Sequence, residues 1–112
     1  MSTRAELCAK YGCEFARIGD QENVGVALTT LGQYPVNGLR HPATIGTTGW
    51  YIWCGETFSD AADFFTSLCV VHAVQRLPEI DRLLSLPPGY RFLTHGEYLD
   101  VWFDANLLDT DS

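Results

Sequence analysis

Tyr90-Arg91-Phe92-Leu93-Thr94-His95-Gly96-Glu97-Tyr98-Leu99-Asp100-Val101-Trp102-Phe103 reads as two strands joined by a tight turn. The strands run from Tyr90 to Thr94 and from Tyr98 to Phe103, and His95-Gly96 suits a two-residue hairpin loop. That loop sets the pairs. Thr94 faces Glu97, Leu93 faces Tyr98, Phe92 faces Leu99, Arg91 faces Asp100 and Tyr90 faces Val101. Opposed residues share a face and successive residues alternate. One face is therefore Tyr90, Phe92, Leu99, Val101 and Phe103, all apolar. The other is Arg91, Leu93, Tyr98, Asp100, Trp102 and Asp104, with Arg91 set against Asp100. A slip of one residue would mix the two sets and spoil both faces. The apolar face must pack on the rest of the domain. The mixed face has the aromatic, carboxylate and arginine content of a binding surface.

Working outward, Leu86-Pro87-Pro88-Gly89 is a rigid turn, since Pro88-Gly89 fits the centre of a type II turn. Before it, Pro78 at a first helical position with Glu79 and Asp81 close behind predicts a short helix over 78–85. Ser59 as N-cap, with Asp60 and Asp63 in the first turn, predicts a helix over 60–77 that Pro78 ends. Trp50-Tyr51-Ile52-Trp53-Cys54 is a strand apolar on both faces, and so a central one. Its Tyr51 and Trp53 side could extend the surface formed by Tyr98 and Trp102. Asn23 to Thr29 predicts a strand over about 23–30. Residues 32–48 hold Pro35, Asn37-Gly38 and Pro42 and read as a long loop, a kind that often carries function. Thr3 and Glu6 stand in capping-box spacing and open a helix to about Tyr11, with Gly12 ending it. The fold class is α+β: a single domain over 1–112, a mainly antiparallel sheet with helices packed on one face.

Charge narrows the partners. The chain has 112 residues and a net charge of −7. Residues 1–54 hold four acids and four bases, whereas 55–112 hold ten acids and three bases, so the whole imbalance lies in the second half. Phosphates would be repelled, which argues against nucleic acid, and a basic protein would be attracted. No stretch reaches the roughly 18 apolar residues of a membrane helix. The start, Met1-Ser2-Thr3-Arg4-Ala5-Glu6, has no signal-peptide pattern, so a cytoplasmic location is expected. Cys8, Cys13, Cys54 and Cys69 are then free thiols, and no pair has the spacing of a zinc or redox motif. No metal and no cofactor is expected.

Catalytic patterns are absent from the sequence: no nucleophile elbow, no glycine-rich loop opening a helix. The alternative of a small enzyme or metal-binding domain would need His41, Glu56 and Cys54 or His72 to meet within about 4–6 Å around a pocket. A further alternative is a self-associating structural module, a homodimer built on the same sheet face.

The run Thr48-Gly49-Trp50-Tyr51-Ile52-Trp53-Cys54-Gly55-Glu56 resembles the Ser/Thr-Gly-Trp to Gly-Glu pattern of the immunity protein 33-like family of bacterial polymorphic toxin systems. Gly38-Leu39-Arg40-His41-Pro42, Leu86 to Leu93 and Tyr98 to Asp104, followed by Leu107 and Leu108, are also similar to members of that group. The resemblance covers about residues 24–108. It implies a non-enzymatic protein that binds and blocks a cognate toxin. Residues expected at the contact are Arg40, His41, Trp53, Glu56, Tyr98, Asp100, Trp102 and Asp104.

Overall fold

A computed structural model describes residues 3–56, 59, 61 and 63–108. Its centre is a six-stranded sheet of β1 (Asn23–Val26), β2 (Val36–Arg40), β3 (Thr47–Cys54), β4 (Thr66–Cys69), β5 (Tyr90–His95) and β6 (Tyr98–Phe103). The spatial order is β4-β1-β3-β2-β5-β6. Only the β1–β3 pair is parallel; the other pairs run antiparallel. Helices α1 (Arg4–Lys10) and α2 (Val70–Arg76) and a 3-10 segment over Pro78–Leu83 complete an α+β domain.

The start of α1 follows the expected chemistry. Thr3 accepts a hydrogen bond from the Glu6 N–H, and the Glu6 carboxylate accepts from the Thr3 N–H. The same bond holds the Glu6 carboxyl below its ordinary pKa. Arg4 then ties the helix to Asp81 at 2.6 Å. Leu7 and Cys8 enter a core with Val24, Val26, Trp50, Ile52, Ile80 and Phe92, which fills the space between the sheet and the helical layer.

Residues 32–48 are not one loop, because β2 lies in them and sits in the middle of the sheet between β3 and β5. Gly38, which reads as a turn residue beside Asn37, is there for space. A Cβ at this position would run into the Phe92 ring, whose Cδ2 would stand 2.9 Å away. The strand expected over 23–30 is shorter and gives way to a 3-10 turn at Leu28–Thr30. The strand expected at 50–54 begins earlier, at Thr47.

The helix expected over 60–77 is corrected too. Asp60 lies outside the described residues, but Thr66–Cys69 is strand β4, and the helix occupies only Val70–Arg76. β4 pairs with β1 along its length, and the Val70 and Val71 N–H groups continue that attachment to the carbonyls of Glu22 and Asp20. Main-chain pairing with a neighbouring strand overrode the local helical signal. As a result Phe64 and Phe65 reach the other face of the sheet, where they pack on a second cluster of Ala27, Leu39, Trp53 and Leu107. The segment expected as a helix over 78–85 is the 3-10 segment Pro78–Leu83.

The hairpin has its predicted faces but not its predicted pairs. Tyr90 stands opposite Phe103, Arg91 opposite Trp102, Leu93 opposite Asp100 and His95 opposite Tyr98. The turn is Gly96-Glu97, with Gly96 at φ +62. Each pair is displaced by two residues, so every side chain stays on the face assigned to it. Arg91 does not face Asp100.

Candidate partner-binding face

The helical layer covers one face of the sheet. The other carries alternate residues of four of the strands: Tyr51 and Trp53 of β3, Leu39 of β2, Arg91 and Leu93 of β5, and Tyr98, Asp100 and Trp102 of β6. The two ends of this face differ. Toward β3, Phe64, Phe65 and Leu107 roof Leu39 and Trp53, while Tyr51 keeps 37% of its surface exposed. The Phe65 ring meets Tyr51 at 5.1 Å and Trp53 at 6.5 Å, both edge-on. Toward β6 it is open: Tyr98 is 59% exposed, Trp102 is 37% exposed, and Asp100 is exposed between them.

Arg91 organises the open end. Its guanidinium lies 5.6 Å from the centre of the Trp102 ring and 3.3 Å from the Asp104 carboxylate. Asp104 also accepts a hydrogen bond from the Asn106 N–H at 3.0 Å, which fixes the turn after β6. Asp104 is thus compensated and used within the fold. Asp100 has no cation within ion-pair distance among the described residues. At the hairpin tip His95 stacks on Tyr34 at 4.8 Å, beside Glu79 and Thr94.

Among the residues expected at a contact, Tyr98, Asp100 and Trp102 form one row. Asp104 lies at its end, half-buried. Glu56 is exposed after Gly55, at the Val36 end of β2. The remaining three are withdrawn. Arg40 is 4% exposed and lies on the helical side of the sheet. Its Nε donates to the Thr48 carbonyl at 2.9 Å, and its Nη1 donates to the carbonyls of Leu86 at 2.7 Å and Leu84 at 3.4 Å. Burial lowers the Arg40 pKa from its ordinary value, with Glu22 acting the other way. Arg40 is a clamp on the chain leading into β5, placed inside because it ends a strand rather than decorating a loop. Trp53 is 6% exposed under its aromatic roof. His41 is half-buried, with Nδ1 3.0 Å from the Leu107 carbonyl and its ring edge-on to Tyr51 at 5.7 Å.

Sequence reasoning passed over Tyr34, hidden in the presumed loop, and the roof of Phe64 and Phe65, hidden in the presumed helix. The tyrosine of β3 was legible from strand alternation alone.

The residues named for an enzyme do not meet. Cys54 pairs with Val36 at one end of β2, and His41 follows Arg40 at the other, roughly 16 Å away along the strand. His72 instead touches Cys69, with Nδ1 3.2 Å from Sγ. Burial raises the Cys54 thiol pKa, so it keeps its proton at neutral pH. Among the described residues no group of three His, Cys, Asp or Glu side chains could hold a metal ion, and no helix is long and apolar enough to cross a membrane.

A family model described as the Imm33-like domain covers residues 3–104. No curated protein and no solved structure matches.

Proposed function

Because the chain belongs to the Imm33-like domain family, we propose that it is a non-enzymatic immunity protein that binds a cognate toxin domain and blocks it. The observation that carries this reading is the open Tyr98–Asp100–Trp102 row on a fold of an immunity-protein family. Two exposed aromatics flank an uncompensated carboxylate, and Arg91 holds one of the rings in place. Ordered aromatic side chains lose little freedom on binding and make strong anchors. Asp100, with Glu97 and Glu56 also in the acidic half of the sequence, would steer a basic partner. The protein would act in the cytoplasm, where it shields the cell that makes the toxin.

The test takes the product of the adjacent gene as the candidate toxin. The two proteins are expressed together, and binding and growth rescue are measured. Trp102→Ala with Asp100→Ala should weaken binding by about 30-fold or more, the scale of losing a hot-spot anchor. Unchanged binding and rescue in that double variant would overturn the assignment of this face.

A further inference from the structure

We propose that the partner is captured by strand addition: a basic β-strand of the toxin domain pairs with the outer edge of β6. This rests on the immunity reading and specifies how the contact is made.

The edge can be read from the hydrogen bonds. The Asp104 N–H donates to the Gly89 carbonyl at 2.7 Å, and the Tyr98 carbonyl accepts from the Thr94 hydroxyl at 3.0 Å. Both main-chain groups point inward, toward β5. In an antiparallel ladder the direction alternates, so Asp100 and Trp102 also point inward, and Leu99, Val101 and Phe103 point outward. β6 ends the strand order, and no described strand pairs with that outer side. Six residues long, it carries neither lysine nor proline, the devices that usually protect an edge. The opposite edge, β4, is four residues and runs directly into α2.

Charge selects the occupant. On an added antiparallel strand, the residue facing Asp100 would lie within about 5 Å, on the open face. A lysine or arginine there would meet a carboxylate that has no cation beside it among the described residues. Its neighbours would face Leu99 and Val101 and should be apolar. A second copy of this chain fits less well. Setting Asp100 of one copy against Asp100 of the other opposes two carboxylates. Setting Val101 against Val101 leaves Asp100 opposite Trp102. Neither register puts a cation opposite Asp100, and each copy brings a net charge of −7.

The experiment uses the full chain and the toxin domain. Val101→Pro removes an outward N–H and spares the β5–β6 ladder. It should weaken toxin binding by about 10-fold or more. In parallel, hydrogen exchange should show the Leu99, Val101 and Phe103 amides unprotected in the free protein and protected in the complex. If Val101→Pro binds as wild type and these amides stay unprotected while the Trp102 and Asp100 variants lose binding, strand addition is overturned and the face assignment stands. If none of these changes affects binding, both fall. Should Val101→Pro fail to fold, the exchange result decides alone, with protection supporting the proposal and its absence overturning it. Sedimentation of the free protein as a dimer that Val101→Pro dissociates would assign the edge to self-association and overturn the basic-strand occupant.

Discussion

Gly38→Ala should cost this domain about 3 kcal/mol, although the change is one methyl group on a residue that reads as part of a turn. The new Cβ would lie 2.9 Å from Phe92 Cδ2 and 2.5 Å from Cζ, closer than carbon atoms can pack. Phe92 is fully buried and leans on Trp50 at 5.5 Å, so the ring has no free space to move into. Overpacking of a well-filled core typically costs about 1–3 kcal/mol. This site belongs at the upper end, because the clash is with a rigid ring beneath a central strand. For a chain of this size that is a fall in Tm of roughly 12 °C, at about 4 °C per kcal/mol. The assay is urea denaturation followed by tryptophan fluorescence, with thermal melting as a second measure. Phe92→Leu should be destabilising alone, yet it should relieve Gly38→Ala, so that the double variant is more stable than the two single effects predict by about 1 kcal/mol or more. A Gly38→Ala protein within about 0.5 kcal/mol of wild type, the range of an ordinary surface change, would refute the pairing of β2 with β5.

Further measurements probe other parts of the fold. Arg40→Met should destabilise by about 2–4 kcal/mol in chemical denaturation, because the Thr48 and Leu86 carbonyls lose their buried donor. A double-mutant cycle on Arg91 and Asp104 should show a coupling of about 0.5–1 kcal/mol, and the same cycle on Arg91 and Asp100 should show almost none. Burial, with Cys13 beside it, pushes the Cys8 thiol up to about 11, so the fold favours the protonated form. Its contribution is complete below the unfolded thiol's range and is lost as pH rises from about 8.5 to the folded value. Stability should fall across that window, and Cys8→Ala should flatten the fall.

Legibility in the sequence followed whether a signal was local or depended on contacts. The cap of α1 needs only Thr3 and Glu6, and it formed as expected. The hairpin faces need only alternation, which survives any displacement by two. The choice between His95-Gly96 and Gly96-Glu97 as the turn has no such signature, since both keep the apolar set together. β2 was hidden because Pro35, Asn37-Gly38 and Pro42 all punctuate like a loop. Gly38 makes sense only once Phe92 is known to lie over it, and that contact joins residues 54 positions apart. Arg40 followed β2 into the interior for the same reason. β4 was hidden by a good helical N-cap at Ser59, which does serve a turn: its hydroxyl accepts from the Ala61 N–H at 3.1 Å.

The displacement by two residues leaves the face unchanged and redistributes its charge. In the register read from the sequence, Arg91 would cancel Asp100 and leave Asp104 to meet a partner. In the structure Arg91 lies opposite Trp102, close enough to hold Asp104 as well. The carboxylate at the end of the strand is therefore spent on the turn, and the one in its middle has no cation among the described residues. That position matters for binding. A charge at the rim of a contact is screened by water, whereas Asp100, between Tyr98 and Trp102, would be covered by whatever covers the two rings. Once covered in the proposed complex, it would demand a cation from the partner, because an unpaired buried carboxylate is costly. In the proposed complex, the same arrangement that orders Trp102 as an anchor would thus also set the charge its partner must bring.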